Sequence, residues 1–348
     1  MRHPPAFWRH GVRSAWPALL APLGMVVAAV TARRNARPGW RAPVPVICCG
    51  NVTVGGAGKT TLALDLAGRL RARDVAVHIL LRGYGGTASG VHRGVPREPY
   101  RGVPRGPYCG MPRGPYRVAP GDPASLVGDE ALLLAEVAPT WIGPDRAASA
   151  RAAVAAGAQA LVLDDGLQNP TLIKDLSLLV VDGGSGFGNG HVLPAGPLRE
   201  PVAAGAARCQ AAVLIGTDET GVTAQLPPGL PVLRARLQQG PEVADLVGQP
   251  VLAFAGIARP EKFFDGLWQA GVTVVAHRSF PDHHRYTARE IQDVLDTATQ
   301  LQATPVTTPK DAVRLPPAMR PRVRVVGASL VWDDDAAITR LLDAAIGR

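Results

Sequence analysis

The stretch from Gly50 to Leu70, GNVTVGGAGKTTLALDLAGRL, constrains the fold of this chain more than any other. It follows an apolar run, Pro45–Cys49, that is typical of a buried strand, and it leads into apolar residues at helical spacing. Glycines let the backbone curl until successive N–H groups point at one anion, and a following helix presents its positive end to the same place. The stretch therefore predicts a strand, a phosphate-binding loop and a helix that begins near Lys59.

The residues of this loop predict how a nucleotide is held. Lys59 supplies a mobile charge for the β- and γ-phosphates, and the Thr60 hydroxyl can bind Mg²⁺. The consensus spacing asks for a glycine five residues before Gly58, where this chain has Thr53. An ordinary glycine-rich turn is the alternative, but the order of strand, loop and amphipathic helix favours a phosphate site. The predicted nucleotide-binding residues are Thr53, Gly55, Gly56, Ala57, Gly58, Lys59, Thr60 and Thr61.

Composition limits the classes of partner. The chain has 348 residues, of which 47% are hydrophobic, enough for a large core and for two domains. Its formal net charge of +9 favours an anionic partner: nucleic acid, anionic lipid or a phosphorylated substrate. Only 5% of the residues are aromatic and the sequence has no nucleic-acid-binding motif, so nucleic acid is the weaker choice. The four cysteines lack a metal-ligand spacing and suit a reducing cytosol.

The N-terminal segment, residues 1–41, has an uncharged run, Ala15–Ala32, with arginines on both sides. A secretory signal, a spanning helix and a buried core helix are alternatives. A secretory signal would export a nucleotide-binding domain away from its nucleotide, and a spanning helix needs about 20 apolar residues, which this run lacks. We favour a helix in the membrane interface, with Trp8, Trp16 and Trp40 at headgroup level and the arginines on anionic lipid.

Two further strands are predicted to end in polar residues. Val75–Leu81 leads into Arg82 and a glycine-rich turn, at a strand end where open α/β sheets bind ligands. Arg82 is placed to meet phosphate there, although an arginine on an ordinary surface turn is an equal alternative. The run Ala160–Gln168 has Asp164 and Asp165 after an apolar strand. This is typical of a Walker B strand, whose acid holds Mg²⁺ directly or through water.

Three other segments have no clear function from local sequence. Residues 93–116 repeat an eight-residue, arginine- and proline-rich unit that cannot bury a core, which predicts a disordered or polyproline-like insertion in a surface loop. Asp129 and Glu130 start an apolar helical run, where acidic residues commonly serve as helix caps. The loop FPDHHRY places Asp282 beside two histidines, but a zinc site needs three or four ligands.

The predicted fold class is α/β. A P-loop NTPase-like parallel sheet domain is expected over residues 42–225, after the membrane-associating helix of residues 1–41. A composition change near residues 218–230 marks the boundary, and strands alternate with helices between Val251 and Thr308. Residues 226–348 therefore predict a second, smaller α/β domain, whose last helix is able to pack back on the first domain.

Together these motifs resemble the tetraacyldisaccharide 4′-kinase family, the lipid A 4′-kinases of Gram-negative bacteria. The matching segments are, in order, GNVTVGGAGKTT, RGYGG, VGDEALLLA, LVLDDGLQ, GFGNGHVLPAGPLREP and FPDHHRY. The family has Thr or Ser at the position of Thr53. Ala57, Thr61 and Asn169 stand where the family usually has Thr, Pro and His, and the eight-residue repeat is not a family feature. None of these differences removes a group needed for chemistry.

The resemblance implies ATP-dependent phosphorylation of the 4′-hydroxyl of a tetraacylated glucosamine disaccharide 1-phosphate, giving lipid IVA at the cytoplasmic face of the bacterial inner membrane. It implies ATP and Mg²⁺ as cofactors and an anionic lipid and a membrane surface as partners, with no nucleic acid and no obligate protein partner. Asp129 is the implied base and His283 its partner, and Lys59 acts on the phosphates. The other implied site residues are Thr60, Asp164 and Asp165 for Mg²⁺, with Arg82, Arg146, Gln168 and Glu200 nearby.

A P-loop ATPase or GTPase that acts as an assembly or partitioning switch is the main alternative. Guanine specificity normally brings an Asn-Lys-x-Asp motif, and the nearest fragment in this sequence is Thr308–Asp311, TPKD. A cytosolic small-molecule kinase is a third interpretation, which the N-terminal segment disfavours.

Overall fold

The computed structural model describes residues 4–83 and 115–347. The predicted insertion at residues 93–116 lies outside the described residues except for its last two positions, as do the end of the RGYGG turn and Cys109. The strands are β1 (Val46–Gly50), β2 (Val77–Leu81), β3 (Tyr116–Arg117), β4 (Thr140–Ile142), β5 (Ala160–Asp164), β6 (Leu176–Asp182), β7 (Ala211–Ile215), β8 (Val232–Gln239), β9 (Pro250–Ala255), β10 (Thr273–Ser279), β11 (Thr304–Thr307), β12 (Arg324–Val325) and β13 (Ala328–Trp332). The helices are α1 (Trp16–Asn35), α2 (Lys59–Arg71), α3 (Ala124–Val127), α4 (Asp129–Val137), α5 (Arg146–Ala155), α6 (Val202–Ala206), α7 (Val222–Gln225), α8 (Pro260–Gln269), α9 (Ala288–Gln300), α10 (Pro309–Ala312) and α11 (Asp335–Ile346).

Within the described residues, nine strands form one sheet in the order β13-β8-β7-β6-β1-β5-β2-β4-β3. The strands from β8 to β4 in this order are parallel, and only the outer strands β13 and β3 run antiparallel to their neighbours. Cys48 and Cys49 face opposite cores, as expected for a strand covered on both sides. Helices α2, α4 and α11 pack on one face, and α5 and α6 pack on the other. The predicted P-loop NTPase-like α/β fold is confirmed.

The central strands bring the functional loops to one edge of this sheet. Cys49 of β1 is paired with Asp164 of β5, and Gly50 is paired with Leu179 of β6. The carboxyl ends of β1 and β5 therefore lie side by side, next to β6, which continues to Asp182. The chain leaves β1 towards β2 on one side and later returns to β6 on the other, so β1 marks a topological switch point. Open α/β sheets bind their ligands at such points.

A second sheet contains four described strands in the order β10-β9-β11-β12, all parallel. Helix α8 packs on one face through Phe264, and α9 packs on the other through Ile291. Helix α9 begins at a capping box, in which Thr287 Oγ1 accepts from the Glu290 N–H and the Glu290 carboxylate accepts from the Thr287 N–H. The predicted smaller α/β unit is therefore present.

The two sheets divide the chain at a different place from the predicted boundary at residues 225/226. Strand β8 pairs with β7, and β13 pairs with β8, so both belong to the large sheet. Pairing with β8 covers the main-chain groups that β7 would otherwise leave open as an edge strand. Helix α11 packs on the same core through Ile338 and Leu342. The division into domains at residues 42–225 and 226–348 stays a prediction.

Helix α1 lies mostly outside both cores. Within it only Pro17 and Gly24 are buried, so the buried-core-helix alternative is wrong. Its exposed large apolar side chains are Trp16, Leu19, Leu23, Met25, Val26 and Val30. Among the described helices, this one is long and apolar enough to cross a membrane by length and composition. The interfacial position stays a prediction.

Some groups predicted to face lipid also contact the protein. Trp8 Nε1 donates to a backbone carbonyl of the glycine-rich loop after β6 at 3.1 Å, and Trp40 lies under the Arg151 guanidinium at 4.6 Å. Of the three tryptophans, Trp16 alone is exposed, at 56%. Arg34 donates to a backbone carbonyl at 2.8 Å. These side chains bind residues that are distant in the chain but close in the fold. Local sequence does not reveal such contacts.

An ion-pair cluster links the two sheets beside the phosphate loop. Asp182, at the end of β6, accepts from Arg259 Nη1 at 2.9 Å and from Lys262 Nζ at 2.5 Å, both at the start of α8. Asp182 is only 7% exposed. Burial raises the pKa of Asp182, but the hydrogen bond and charge of Lys262 and the charge of Arg259 outweigh burial and hold that pKa below its usual range. The cluster therefore stabilises the contact between the sheets.

We expect Asp182→Asn to lower the free energy of unfolding by about 1–2 kcal/mol, because it leaves two partly exposed cations without a counter-ion. The folded pKa lies below the unfolded value of about 3.9, so the stabilisation is present above about pH 4 and is lost as the pH falls through the folded pKa. In urea unfolding, the free energies of unfolding of the variant and wild type should differ at neutral pH and become equal in acid. Asp265→Asn is the control, since Asp265 is exposed on α8 and pairs with no described cation. Equal losses in both variants would contradict the assignment.

Candidate active site

The loop between β1 and α2 has the backbone of a phosphate loop. Gly58 has a φ of +88°, and a Cβ there would lie 2.7 Å from Ile215 Cδ1, so a side chain does not fit. Helix α2 begins at Lys59, as predicted, and its free first-turn N–H groups lie at the loop. Lys59 is 9% exposed, and its Nζ lies 3.8 Å from Asp165 Oδ1. The Lys59 ammonium group and the N-terminus of α2 therefore lie at the same loop.

Thr53, the residue at the non-consensus position, lies at the start of this loop and stabilises it. Its Oγ1 accepts from Asn51 Nδ2 at 3.0 Å, and its backbone bridges to Leu198 in the glycine- and proline-rich loop after β6. The next residue, Val54, donates its N–H to the Pro197 carbonyl at 2.8 Å. The long loop after β6 thus contacts the phosphate loop through its backbone and supports it.

Asp164 and Asp165 have different surroundings. Asp164 Oδ2 accepts from Thr60 Oγ1 at 2.8 Å, and its Oδ1 is buried with no hydrogen-bond partner among residues 4–83 and 115–347. Asp165, with a φ of +57°, accepts from Arg199 Nη1 at 2.7 Å. Burial and the charge of Glu130 raise the pKa of Asp164 to about 7. Burial also raises the pKa of Asp165, but the neighbouring cations outweigh it and lower that pKa.

The Thr60–Asp164 pair fits a Mg²⁺ ion. It combines a hydroxyl with a buried carboxylate oxygen that lacks a partner in the described chain, and Mg²⁺ prefers oxygen ligands of this kind. In the residues that the structure describes, no group of three or more His, Cys, Asp or Glu side chains could hold a metal. Mg²⁺ commonly takes one or two protein ligands and completes its shell with water and phosphate oxygens. Asp165, already bound to Arg199, is the less suited of the two acids.

Asp129 and His283 meet although 154 positions separate them in the chain. His283 Nδ1 lies 2.9 Å from Asp129 Oδ2, and the exposed fractions of the two side chains are 30% and 3%. Asp129 Oδ1 accepts from the Glu130 N–H at 3.0 Å, the helix-start role that local sequence suggests, but its other oxygen faces the histidine. His283 has a φ of +57°, and backbone strain of this kind clusters at functional sites.

Two cations that the sequence analysis did not predict flank this pair. Arg314 Nε lies 3.4 Å from Asp129 Oδ2, and Lys310 Nζ lies 3.2 Å from Glu130 Oε1. Burial raises the pKa of Asp129, but the hydrogen bond with the histidine and the charges of Lys310 and Arg314 outweigh burial and lower that pKa. Asp129 is therefore held as a carboxylate.

The segment Thr308–Asp311, which resembles a fragment of a guanine-binding motif in the sequence, contains Lys310 and precedes Arg314. Asp311 is fully buried and accepts from the Gly256 N–H at 2.8 Å and from the Tyr286 hydroxyl at 2.6 Å. The carbonyl of Gly256 in turn accepts from the His283 N–H at 3.1 Å. The segment thus fixes the FPDHHRY loop that presents the histidine.

Gln168 and Glu200 lie together behind the phosphate loop. Gln168 Nε2 donates to the Asn51 carbonyl at 2.7 Å and to Glu200 Oε1 at 2.8 Å. Glu200 is 2% exposed and also accepts from Arg208 Nη2 at 2.6 Å. Gln168 Oε1 accepts from Arg199 Nη1 at 3.2 Å, the same nitrogen that binds Asp165. Through these contacts Gln168 and Glu200 support the residues that flank the phosphate loop.

Arg146 and Arg82 lie at the same edge of the sheet. Arg146 begins α5, is 2% exposed and donates to the Gly143 carbonyl, while its Nε finds no partner in the described part of the chain. Burial lowers the pKa of Arg146 to about 10; the charge of Asp165 opposes this shift, and the charge of Arg82 adds to it. Arg82 is exposed just after β2. Both arginines are thus close to the acidic end of β5.

Known proteins match nearly the whole chain. The family model described as tetraacyldisaccharide-1-P 4′-kinase matches residues 16–102 and 100–347. Relatives named tetraacyldisaccharide 4′-kinase from Gluconacetobacter diazotrophicus, Gluconobacter oxydans and Rhodospirillum rubrum are 56%, 50% and 50% identical. Each alignment covers 98% of this chain, and the covered shares of the relatives are 97%, 98% and 97%.

A solved structure is similar in fold. It is the "apo" form of LpxK from Aquifex aeolicus in complex with ATP, and it matches with a TM-score of 0.70 at 24% sequence identity. The match covers 95% of this chain and 99% of that chain. At this identity the likeness shows a shared fold, which agrees with the two-sheet architecture described above.

Proposed function

Because this chain belongs to the tetraacyldisaccharide-1-P 4′-kinase family, we propose that it transfers the γ-phosphoryl group of ATP to the 4′-hydroxyl of a tetraacylated glucosamine disaccharide 1-phosphate, giving lipid IVA. One observation carries the proposal beyond family membership. A phosphate loop with the Thr60–Asp164 pair lies near the Asp129–His283 pair, because α2, which begins at Lys59, packs against α4, which begins at Asp129. Phosphoryl transfer to a hydroxyl needs these two groups of residues together.

The phosphate loop positions ATP and neutralises its charge. Lys59 and the loop N–H groups face the β- and γ-phosphate oxygens, and the helix start of α2 adds a favourable potential. Thr60 and Asp164 would hold Mg²⁺, which supplies further neutralisation of the phosphate oxygens when bound. These groups act mainly by orientation and electrostatics, because the transferred phosphoryl group needs little covalent help from the protein.

The Asp129–His283 pair accepts the proton that leaves the acceptor hydroxyl. In this assignment Asp129 is the base, and the imidazole of His283 orients it and shares the proton. The flanking cations lower the pKa of Asp129, so the carboxylate alone would be a weak base. His283 is the more exposed of the two and offers the outward side of the pair.

We place the protein at the cytoplasmic face of the bacterial inner membrane, with α1 as its anchor. The exposed apolar side chains of α1, the net charge of +9 and an anionic lipid acceptor support this location.

The decisive experiment is transfer of phosphate from γ-labelled ATP to a purified tetraacyl disaccharide 1-phosphate in detergent. We expect label at the 4′ position of the lipid. ATP hydrolysis without labelled lipid would instead favour the ATPase switch. Label on a water-soluble sugar alone would favour a small-molecule kinase.

The two acids at the end of β5 should respond differently to Mg²⁺. Asp164→Asn removes the carboxylate beside Thr60 and is expected to raise the Mg²⁺ concentration for half-maximal turnover by at least about tenfold. Asp165→Asn should lower turnover through its contacts with Lys59 and Arg199, at an unchanged Mg²⁺ requirement. Turnover measured against Mg²⁺ at a fixed ATP concentration tests both. A shift confined to Asp165→Asn would reverse the assignment.

A further inference from the structure

The C-terminal end of α1 contacts residues that support the phosphate loop. Arg34 Nη2 donates to the backbone carbonyl of Gln168 at 2.8 Å. Asn35 lies beside it. With its carboxamide turned so that both ends are satisfied, Asn35 donates to the same carbonyl at 3.2 Å and accepts from Arg208 Nη1 at 2.9 Å. In the opposite orientation its Nδ2 donates to Glu200 Oε2 at 3.3 Å. In either orientation, α1 ends on the same group of polar residues.

This group is connected to the nucleotide site through short contacts. Gln168 Nε2 donates to the carbonyl of Asn51, the first residue after β1. Gln168 Oε1 accepts from Arg199 Nη1, which also donates to Asp165 Oδ1. The Nζ of Lys59 lies 3.8 Å from that same oxygen. A shift of the Gln168 backbone would therefore be transmitted both to the entrance of the phosphate loop and to the partner of Lys59.

Helix α1 is also packed closely enough to hold this end in place. A Cβ at Gly24 would lie 2.9 Å from the Val192 carbonyl oxygen, so the helix backbone approaches the glycine-rich loop directly. Thr31 Oγ1 donates to the Arg199 carbonyl at 3.4 Å. The helix thus contacts one loop along its length and ends at Gln168, so its C-terminal residues have a defined position relative to the site.

We propose that Arg34 and Asn35 are positioning residues for the nucleotide site, so that α1 supports catalysis in addition to anchoring the protein. The proposal rests on the proposed phosphoryl transfer. A cationic donor to a carbonyl makes a stronger hydrogen bond than a neutral one, so Arg34 has the larger share of this role. If α1 served only as an anchor, substitutions at Arg34 and Asn35 would change only membrane binding and access to the lipid. A positioning contact also changes how ATP is held when no membrane is present.

Arg33 provides a matched control for Arg34. It lies in the same last turn of α1, has the same charge and is exposed like Arg34, but its side chain makes no hydrogen bond or ion pair within the described ranges. Arg33→Ala and Arg34→Ala should lower binding to phosphatidylcholine–phosphatidylglycerol vesicles by similar factors, because each removes one positive charge. In detergent with the lipid acceptor, Arg34→Ala should lower kcat/KM for ATP about 10-fold or more, since small displacements in an active site have large effects. Arg33→Ala should stay within about twofold of wild type.

The affinity for a non-hydrolysable ATP analogue distinguishes positioning from a loss of folded protein. We expect Arg34→Ala to weaken analogue binding severalfold and Asn35→Ala to weaken it less, with Arg33→Ala unchanged. A general folding defect would lower the active fraction and the melting temperature but leave the Kd of the folded protein as in wild type, and that result would overturn the proposal.

Equal turnover of Arg33→Ala and Arg34→Ala in detergent would also overturn the positioning role. Failure of the proposed function is a separate result. If wild type transfers no phosphate to the lipid, the kinase assignment fails, while the Kd comparison between Arg33→Ala and Arg34→Ala still tests the contact between α1 and the nucleotide site.

Discussion

Replacing Lys59 with alanine is expected to reduce phosphoryl transfer by at least about 100-fold, the scale of losing one preorganised electrostatic contact to the transition state. In the proposed function its Nζ is the charge that follows the migrating phosphoryl group, and Lys59 is buried beside Asp165, which would keep it oriented before ATP binds. The fold should persist, because Arg199 still neutralises Asp165 at 2.7 Å. Steady-state phosphate transfer and thermal unfolding of the same preparations provide the measurement.

Two variants control for charge and shape. Arg71→Ala removes one positive charge from the far end of the same helix, where the side chain is exposed, and should keep turnover within a few-fold of wild type. Lys59→Arg keeps the charge but not the compact ammonium, so it should recover only part of the activity. Near-normal turnover of Lys59→Ala in a stable protein would show that this loop is not the ATP site.

Loss of the Asp129–His283 pair is the second large expected effect. We expect Asp129→Asn and His283→Ala each to lower kcat by about 10²–10³-fold, with modest changes in the KM for ATP, because proton acceptance depends on both. The double variant should be little worse than the poorer single variant, since residues that act as a unit are non-additive. Measurement of kcat for all three variants against wild type tests the pairing.

His284 supplies the control for the histidine. It lies in the same loop but faces Glu290 at 3.0 Å and stacks on Phe280, away from Asp129. His284→Ala should lower thermal stability more than turnover. If the losses from Asp129→Asn and His283→Ala multiply in the double variant, the two residues act separately. Normal activity of Asp129→Asn would show that Asp129 is not the base and would leave it a structural role at the start of α4.

Local patterns predicted the elements of the large sheet with small errors. Strand β1, Val46–Gly50, differs from the predicted run Pro45–Cys49 by one residue at each end, and β2 ends at Leu81 as predicted. Strands covered by helices on both faces form continuous apolar runs, and a glycine with positive φ marks the loop that follows β1. Each of these signals depends on residues close together in the chain, so the sequence could supply them.

The site was predicted in part. Motif order and the family resemblance identified both Asp129 and His283, and the structure places them 2.9 Å apart. Lys310 and Arg314 were missed as neighbours of that pair, because their position depends on how the second sheet packs against α4. The choice between Asp164 and Asp165 was also left open, since two adjacent acids differ only in what surrounds them.

The sequence by itself therefore determined the phosphate loop, the strand that ends in acids and the apolar character of α1, because each follows from local backbone preference and hydrophobic spacing. Only the tertiary structure decided that β8 and β13 join the large sheet, that Asp164 keeps a buried oxygen without a partner in the described chain, and that α1 ends on Gln168. These features are contacts between residues far apart in the chain. Such contacts depend on which buried surfaces and polar groups find partners in the folded protein, and no local pattern encodes them.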